Sequence, residues 1–231
     1  MAEPTNVPAL NAIVPIRATS LDAVTCVISA CVYRDASRRE VLLGVRRSTE
    51  TSRRHPGVLS TPTMRIPASL MSALLARQGV TDEEAMDFSG FANVAPMESA
   101  RISVEDSLAD PLSYAIEGLL TRKLGLAERL VEGRARGTAK SVALARDVVD
   151  GCETDAPEDT LMLTAELVLD DVLELDPTAS YSRLDWVDVD LLDRALADDD
   201  PYLLIQGGEP WEVCLYGLCV RSAAFAVHHA A

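Results

Sequence analysis

The sequence predicts one α/β domain with extensions, and three observations point that way. Val24 to Val32 (VTCVISACV) and Val41 to Arg47 (VLLGVRR) are β-branched or apolar runs joined by the polar link Tyr33 to Arg39, the pattern of a hairpin. Further on, Ser141 to Val149 and Thr160 to Leu169 read as two more strands. Between these pairs lie segments with the apolar spacing and end signals of helices. With 231 residues, 48% of them apolar, the chain is long enough and hydrophobic enough to bury a substantial core.

Taken in order, residues 1 to about 20 contain two proline steps and few periodic apolars, and read as an extended N-terminal arm. The domain is expected over 21–231. Ala68 to Arg77 (ASLMSALLAR) places Leu70, Met71, Leu74 and Leu75 on one helical face, and Gly79 stops it. Thr81-Asp82-Glu83-Glu84 has the form of a capping box opening a second short helix. Phe88, Phe91 and Val94 then return the chain toward the core. Asp110 is the expected N-cap of a longer helix with Pro111 in its first turn and Gly125 at its end. Its apolar stripe is Leu112, Ile116, Leu119, Leu120 and Leu124. Asp150 to Asp159 is read as a polar loop and Asp188 to Ala197 as a helix. Asp198, Asp199 and Asp200 form a solvated turn rather than a calcium loop, for they lack spaced ligands and a distal glutamate. Trp211 to His228 is apolar on most sides and reads as a closing helix, either core or an oligomer face, so a second copy of the chain stays open as a partner.

Composition bounds the function. Twenty-one Lys and Arg against 36 Asp and Glu give a formal charge of −15. That balance argues against a nucleic-acid backbone as partner, which needs clustered cations. No apolar run reaches the roughly 18–20 residues of a membrane span, and the N-terminus lacks a signal peptide's basic start and apolar block. A cytoplasmic protein without membrane partners is the expectation. Cys26 and Cys31 stand five apart in a strand and so face opposite ways. They and Cys152, Cys214 and Cys219 read as small buried side chains. No Gly-x-Ser-x-Gly or P-loop pattern is present. Trp186 reads as core or as a stacking platform.

The segment Ala115 to Leu126 (AIEGLLTRKLGL) resembles the core of the Nudix box. That signature runs from a glycine through a glutamate to an Arg-Glu pair, a bulky apolar residue, two adjacent glutamates and a closing Gly-apolar pair. Anchored on Gly125 and Leu126, it puts Arg122 and Lys123 on the paired glutamates, Leu119 and Gly118 on the Glu and Arg before them, Asp110 on the first glutamate and Val104 on the opening glycine. His55 to Met64 is similar to the family stretch Pro-Gly-x-Trp-x-x-Pro-Gly-Gly. Pro56, Gly57 and Pro62 match, Leu59 replaces the tryptophan, and Thr63 and Met64 replace the final glycines. Arg183 to Leu192 (RLDWVDVDLL) resembles the family's late strand-to-helix step. The resemblance spans roughly residues 22–200 and implies a Nudix-like α/β/α sandwich with a mixed β-sheet and an inserted helical segment at about 67–110.

Family members hold divalent cations on helix carboxylates and hydrolyse pyrophosphates with them. Here the resemblance implies a degenerate site. Arg122 and Lys123 have no lone pair to offer a metal, so no metal, no cofactor and no catalytic residue is expected on this helix. Three readings of the two cations stay open: a solvated helix end favoured by the dipole, a replacement of the metal's charge that contacts a phosphate or carboxylate, or an unconventional metal site. Under the second, Arg46, Arg47, Arg54, His55, Arg122 and Lys123, with Arg53 beside them, would border an anionic ligand site. The function expected is a Nudix-like protein that has lost pyrophosphohydrolase activity and binds an anionic small molecule or a protein partner. The alternative is a divergent hydrolase of a nucleoside-diphosphate-linked substrate, with acids relocated among Glu98, Glu105, Asp106, Asp110 and Glu117.

Overall fold

A computed structural model describes residues 18–46, 59–88, 90–93, 100–102, 110–126, 136–150, 157–170, 173–197, 202–204 and 210–212. Nine of the described strands join in one mixed sheet: β1 (Thr25–Tyr33), β2 (Glu40–Arg46), β3 (Leu59–Ser60), β4 (Thr63–Arg65), β5 (Gly90–Asn93), β6 (Ala100–Ile102), β7 (Gly137–Asp150), β8 (Pro157–Leu169) and β9 (Tyr181–Asp188). The main path runs β3-β2-β1-β8-β7-β5. The predicted hairpin is present, but its two strands pair only at Tyr33 and Val41. Beyond that point they separate. One edge of β2 is taken over its length by β9, so its other edge receives β3 through Gly44 and Val45. One edge of β1 is taken by β8 in parallel from Thr25 to Tyr33, so its other edge receives β4 through Val27, Ile28 and Ser29. Residues 59–65 therefore fill the fork between β1 and β2.

Alternation along β1 and β8 separates two faces. Ile28, Ala30 and Val32 with Leu161, Leu163, Ala165 and Leu167 point into one apolar core. Covering them are α1 (Ala68–Arg77), α2 (Asp82–Asp87) and α3 (Pro111–Leu124), which bring Met71, Leu74, Leu75, Met86, Leu112, Ile116, Leu119, Leu120 and Leu124 to the same cluster. The opposite face is mixed: Cys31, Tyr33, Val41, Leu43, Met162 and Val187 are buried beside Ser29, Thr164 and Glu166. A last described helix, α4 (Val189–Ala197), leaves β9 directly and buries Leu192. The α/β class with a mixed sheet is as expected.

Several local expectations hold to the residue. Helix α1 begins and ends where the periodicity places it, Thr81 and Glu84 form both halves of the capping box, and the Asp110 side chain caps α3. Gly125 closes α3 at φ 66°, a conformation that costs a β-carbon-bearing residue dearly. Trp186 is half-buried and packs against the core. Other expectations need correction. The strands β7 and β8 run further than the apolar runs suggest, to Asp150 and from Pro157, which shortens the polar loop. The inserted segment is not only helical, since β5 and β6 both pair with β7. Asp188 ends β9 and the helix starts at Val189. Trp211 lies in β11 (Pro210–Glu212), paired with β10 (Tyr202–Leu204), instead of opening a helix; an all-round apolar run has no period to tell the two apart. The remainder of that closing segment, residues 1–17, Val94 and the Asp198–Asp200 turn lie outside the described residues.

Two ion pairs, one wholly buried and one with a buried carboxylate, tie distant segments. Arg146 of β7 is wholly buried and meets Asp159 of β8 with two hydrogen bonds, Nε to Oδ1 at 3.1 Å and Nη2 to Oδ2 at 2.8 Å. The same pair holds the main chain of Ala18: its N–H donates to Asp159 at 2.9 Å and its carbonyl accepts from Arg146 at 2.7 Å. On the other face the buried Glu166 accepts from Nε and Nη2 of Arg38, at 2.9 and 2.7 Å, with Lys140 Nζ 3.7 Å away. Arg38 adopts φ 56° in the β1–β2 link, a rare conformation for a residue of its size.

The approach of Tyr181 to β2 explains Gly44. A β-carbon there would stand 2.4 Å from Cδ1 of the Tyr181 ring, and Tyr181 is fully buried with its hydroxyl accepting from Thr63 N–H at 3.3 Å. Gly44→Ala is expected to cost about 1–3 kcal/mol by overpacking, read from the midpoint of urea unfolding. An unchanged midpoint would mean that the ring yields freely and does not fix the β2–β9 pairing.

Candidate functional site

The helix α3 is built from its ends inward. Asp110 accepts from the N–H and the Oγ of Ser113, each at 2.8 Å, and pairs through its other oxygen with Arg77 in the last turn of α1. At the far end the Leu120 carbonyl accepts from the N–H groups of Gly125 and Leu126. Thr178 donates to the Lys123 carbonyl at 2.8 Å, so the stretch before β9 crosses the helix C-terminus. Leu126 is buried in the core. With both ends satisfied and one face buried against the sheet, Tyr114, Arg122 and Gly125 are exposed and Pro111, Glu117, Gly118, Thr121 and Lys123 half-buried.

Those outward residues decide what the helix can do. Arg122 is exposed, and its Nη2 folds back to 3.6 Å from where a Gly118 β-carbon would stand. Met64 of β4, buried, fills the other side of that position, with Cε at 3.2 Å. Among the described residues Arg122 makes no ion pair. Lys123 is half-buried beside it. Glu117 is five residues from Arg122 and half-buried. Among the described residues no three His, Cys, Asp or Glu side chains are grouped so as to hold a metal ion. Nor does the residue set on α3 suit one: cations occupy the last turn, and Asp110, the acid at its start, serves as cap and ion-pair partner.

The six expected site residues fall into two groups. Arg122 and Lys123 are adjacent in the last turn of α3. Arg46 ends β2, and its side chain lies outside what is described; Arg47, Arg53, Arg54 and His55 lie outside the described residues altogether. The structure thus describes two of the six side chains, and the meeting of the two groups lies outside the described residues. Sequence reasoning passed over Tyr114, which is 48% exposed on α3. Its signal was available, because Tyr114, Gly118 and Arg122 follow one another at four-residue steps.

A separate cleft of about 970 Å3 lies between residues 18–22 and the first turns of α1 and α2. Asp22, Asp82, Glu83 and Asp87 line it, and neither Arg122 nor Lys123 does. Near it the Cys26 thiol is pushed up to about 11, by burial first and then by Asp22 and Asp82. Cys31, on the opposite face of β1, is pushed up to about 12 by burial and then by Glu166. Among the described residues no helix is long and apolar enough to cross a membrane.

No family model and no curated protein matches the sequence. Among solved structures, a Nudix hydrolase from Alicyclobacillus acidocaldarius aligns over 76% of this chain and 84% of its own, at 16% identity and a TM-score of 0.32. A likeness at that level decides nothing about this chain's chemistry, which its own residues must carry.

Two outcomes test this geometry. Asp110→Ala should destabilise the fold by about 1–2 kcal/mol through loss of the cap, whereas Asp110→Asn, which keeps an acceptor, should cost clearly less in the same thermal melts. Equal losses would put the weight on the Arg77 pair instead of the cap. The raised thiol values mean that Cys26 and Cys31 stay protonated in the folded state. Their contribution to stability is intact below the ordinary thiol value of 9.0 and falls as pH rises from there toward 11 and 12. Neither thiol should react with iodoacetamide at pH 8 until urea unfolds the chain, which mass spectrometry of the labelled peptides reads directly.

Proposed function

We propose that the chain is a Nudix-like protein that has lost pyrophosphohydrolase activity and acts by binding an anionic ligand or a protein partner through the C-terminal turn of α3. The observation that carries this is Arg122, an exposed guanidinium without an ion pair among the described residues, in the position where the resembled signature has a metal-binding glutamate. Arg39, Arg136 and Arg194 also lack an ion pair among the described residues, so what sets Arg122 apart is its place on the resembled signature, on a chain where acids outnumber bases 36 to 21. A guanidinium offers planar, paired donors suited to phosphate or carboxylate.

Three further features support the loss of hydrolysis. Lys123 stands at the second paired glutamate, so both would-be ligands are repulsive to a cation. The acid at the signature's first glutamate, Asp110, is committed to Ser113 and Arg77. Gly118 stands at the signature's arginine and Met64 at one of its loop glycines. The two changes are complementary in volume, since Met64 occupies the space next to the missing side chain. Without the ion, both polarisation of the phosphoryl group and generation of hydroxide are lost, a large part of the catalytic barrier reduction. Arg46, Arg47, Arg54 and His55 are proposed as further contacts to an anion on the sequence reading alone.

The test has two arms. Calorimetric titration with magnesium or manganese should show no specific site, and the purified protein should hydrolyse nucleoside diphosphate derivatives no faster than buffer. Turnover that vanishes on Glu117→Ala would establish the divergent hydrolase in its place. In thermal shift, pyrophosphate or nucleotides at about a hundredfold excess over Kd should stabilise the chain by about 2.7 kcal/mol, and Arg122→Glu should remove that shift. A shift that survives Arg122→Glu would move the site away from α3.

A further inference from the structure

We draw no further inference here: the strongest candidate, the cleft between residues 18–22 and the helices α1 and α2, rests on the acidic cluster of Asp22, Asp82, Glu83 and Asp87, and nothing in the structure shows what ligand would occupy it.

Discussion

The fork between β1 and β2 is the constraint on which the arrangement depends. A hairpin whose strands stayed paired would leave no free edge on β1 for β4. Because pairing stops after Tyr33 and Val41, the segment 59–65 enters the gap and hydrogen-bonds to both strands. Pro62 shows how fully the wedge is used: its carbonyl accepts from Ala30 N–H at 3.0 Å, and Ser29 Oγ meets Thr61 Oγ1 at 3.0 Å. Buried backbone groups must find partners, and here the wedge supplies them. Met64 projects from it onto Gly118, so the position of α3 is set by how β1 and β2 part. A change at the fork is thereby felt on the helix face that carries Arg122.

The two faces of the sheet are stabilised in different ways. The face under α1 and α3 is almost wholly apolar and gains by burial in proportion to area. The opposite face buries hydroxyls and a carboxylate, whose desolvation is costly unless they are paired. Glu166 meets that cost through Arg38 and Lys140. Arg146 and Asp159 sit toward the other end of the β7–β8 hairpin, where the pair also fixes the chain at Ala18. Breaking such a pair from one side costs about 3–5 kcal/mol because a charge is left buried alone. The long hairpin is thus pinned near each end by an ion pair, with apolar packing between. Arg38 in its left-handed backbone conformation fits the same logic: the two hydrogen bonds to Glu166 hold a geometry that the residue would otherwise avoid.

What was legible in the sequence was local chemistry. The capping box at Thr81, the cap at Asp110, Pro111 in the first turn and Gly125 at the close of α3 each depend on residues within one or two turns, so the letters suffice. The β1–β2 hairpin was legible for the same reason, though not its early parting. The parallel pairing of β1 with β8 joins segments about 135 residues apart and has no local signature. The same holds for the addition of β5 and β6 to β7, and for the contact of Arg146 with Ala18. The bulge between Ser141 and Ala143 restores the inward alternation of a strand whose apolar spacing slips by one, which masked the true extent of β7. At the candidate site the two adjacent cations of the last turn, Arg122 and Lys123, were plain in the letters. The exposed tyrosine one turn before Gly118 was not singled out, because an aromatic in an amphipathic helix is ordinarily core.

The cations at the end of α3 also have a consequence for the helix itself. Carboxylates in a last turn oppose the negative end of the helix dipole, by about 0.3–1 kcal/mol each, and two of them side by side repel one another. A helix with paired glutamates there gains when a cation binds, so its stability is linked to the metal. Arg122 and Lys123 reverse the sign. They favour the dipole, the Lys123 carbonyl is capped by Thr178, and Gly125 closes the turn. This helix reaches a satisfied C-terminus from its own residues. On the reading proposed for the chain, exchanging paired glutamates for these cations would relieve a cost in folding at the same step that it removes the chemistry.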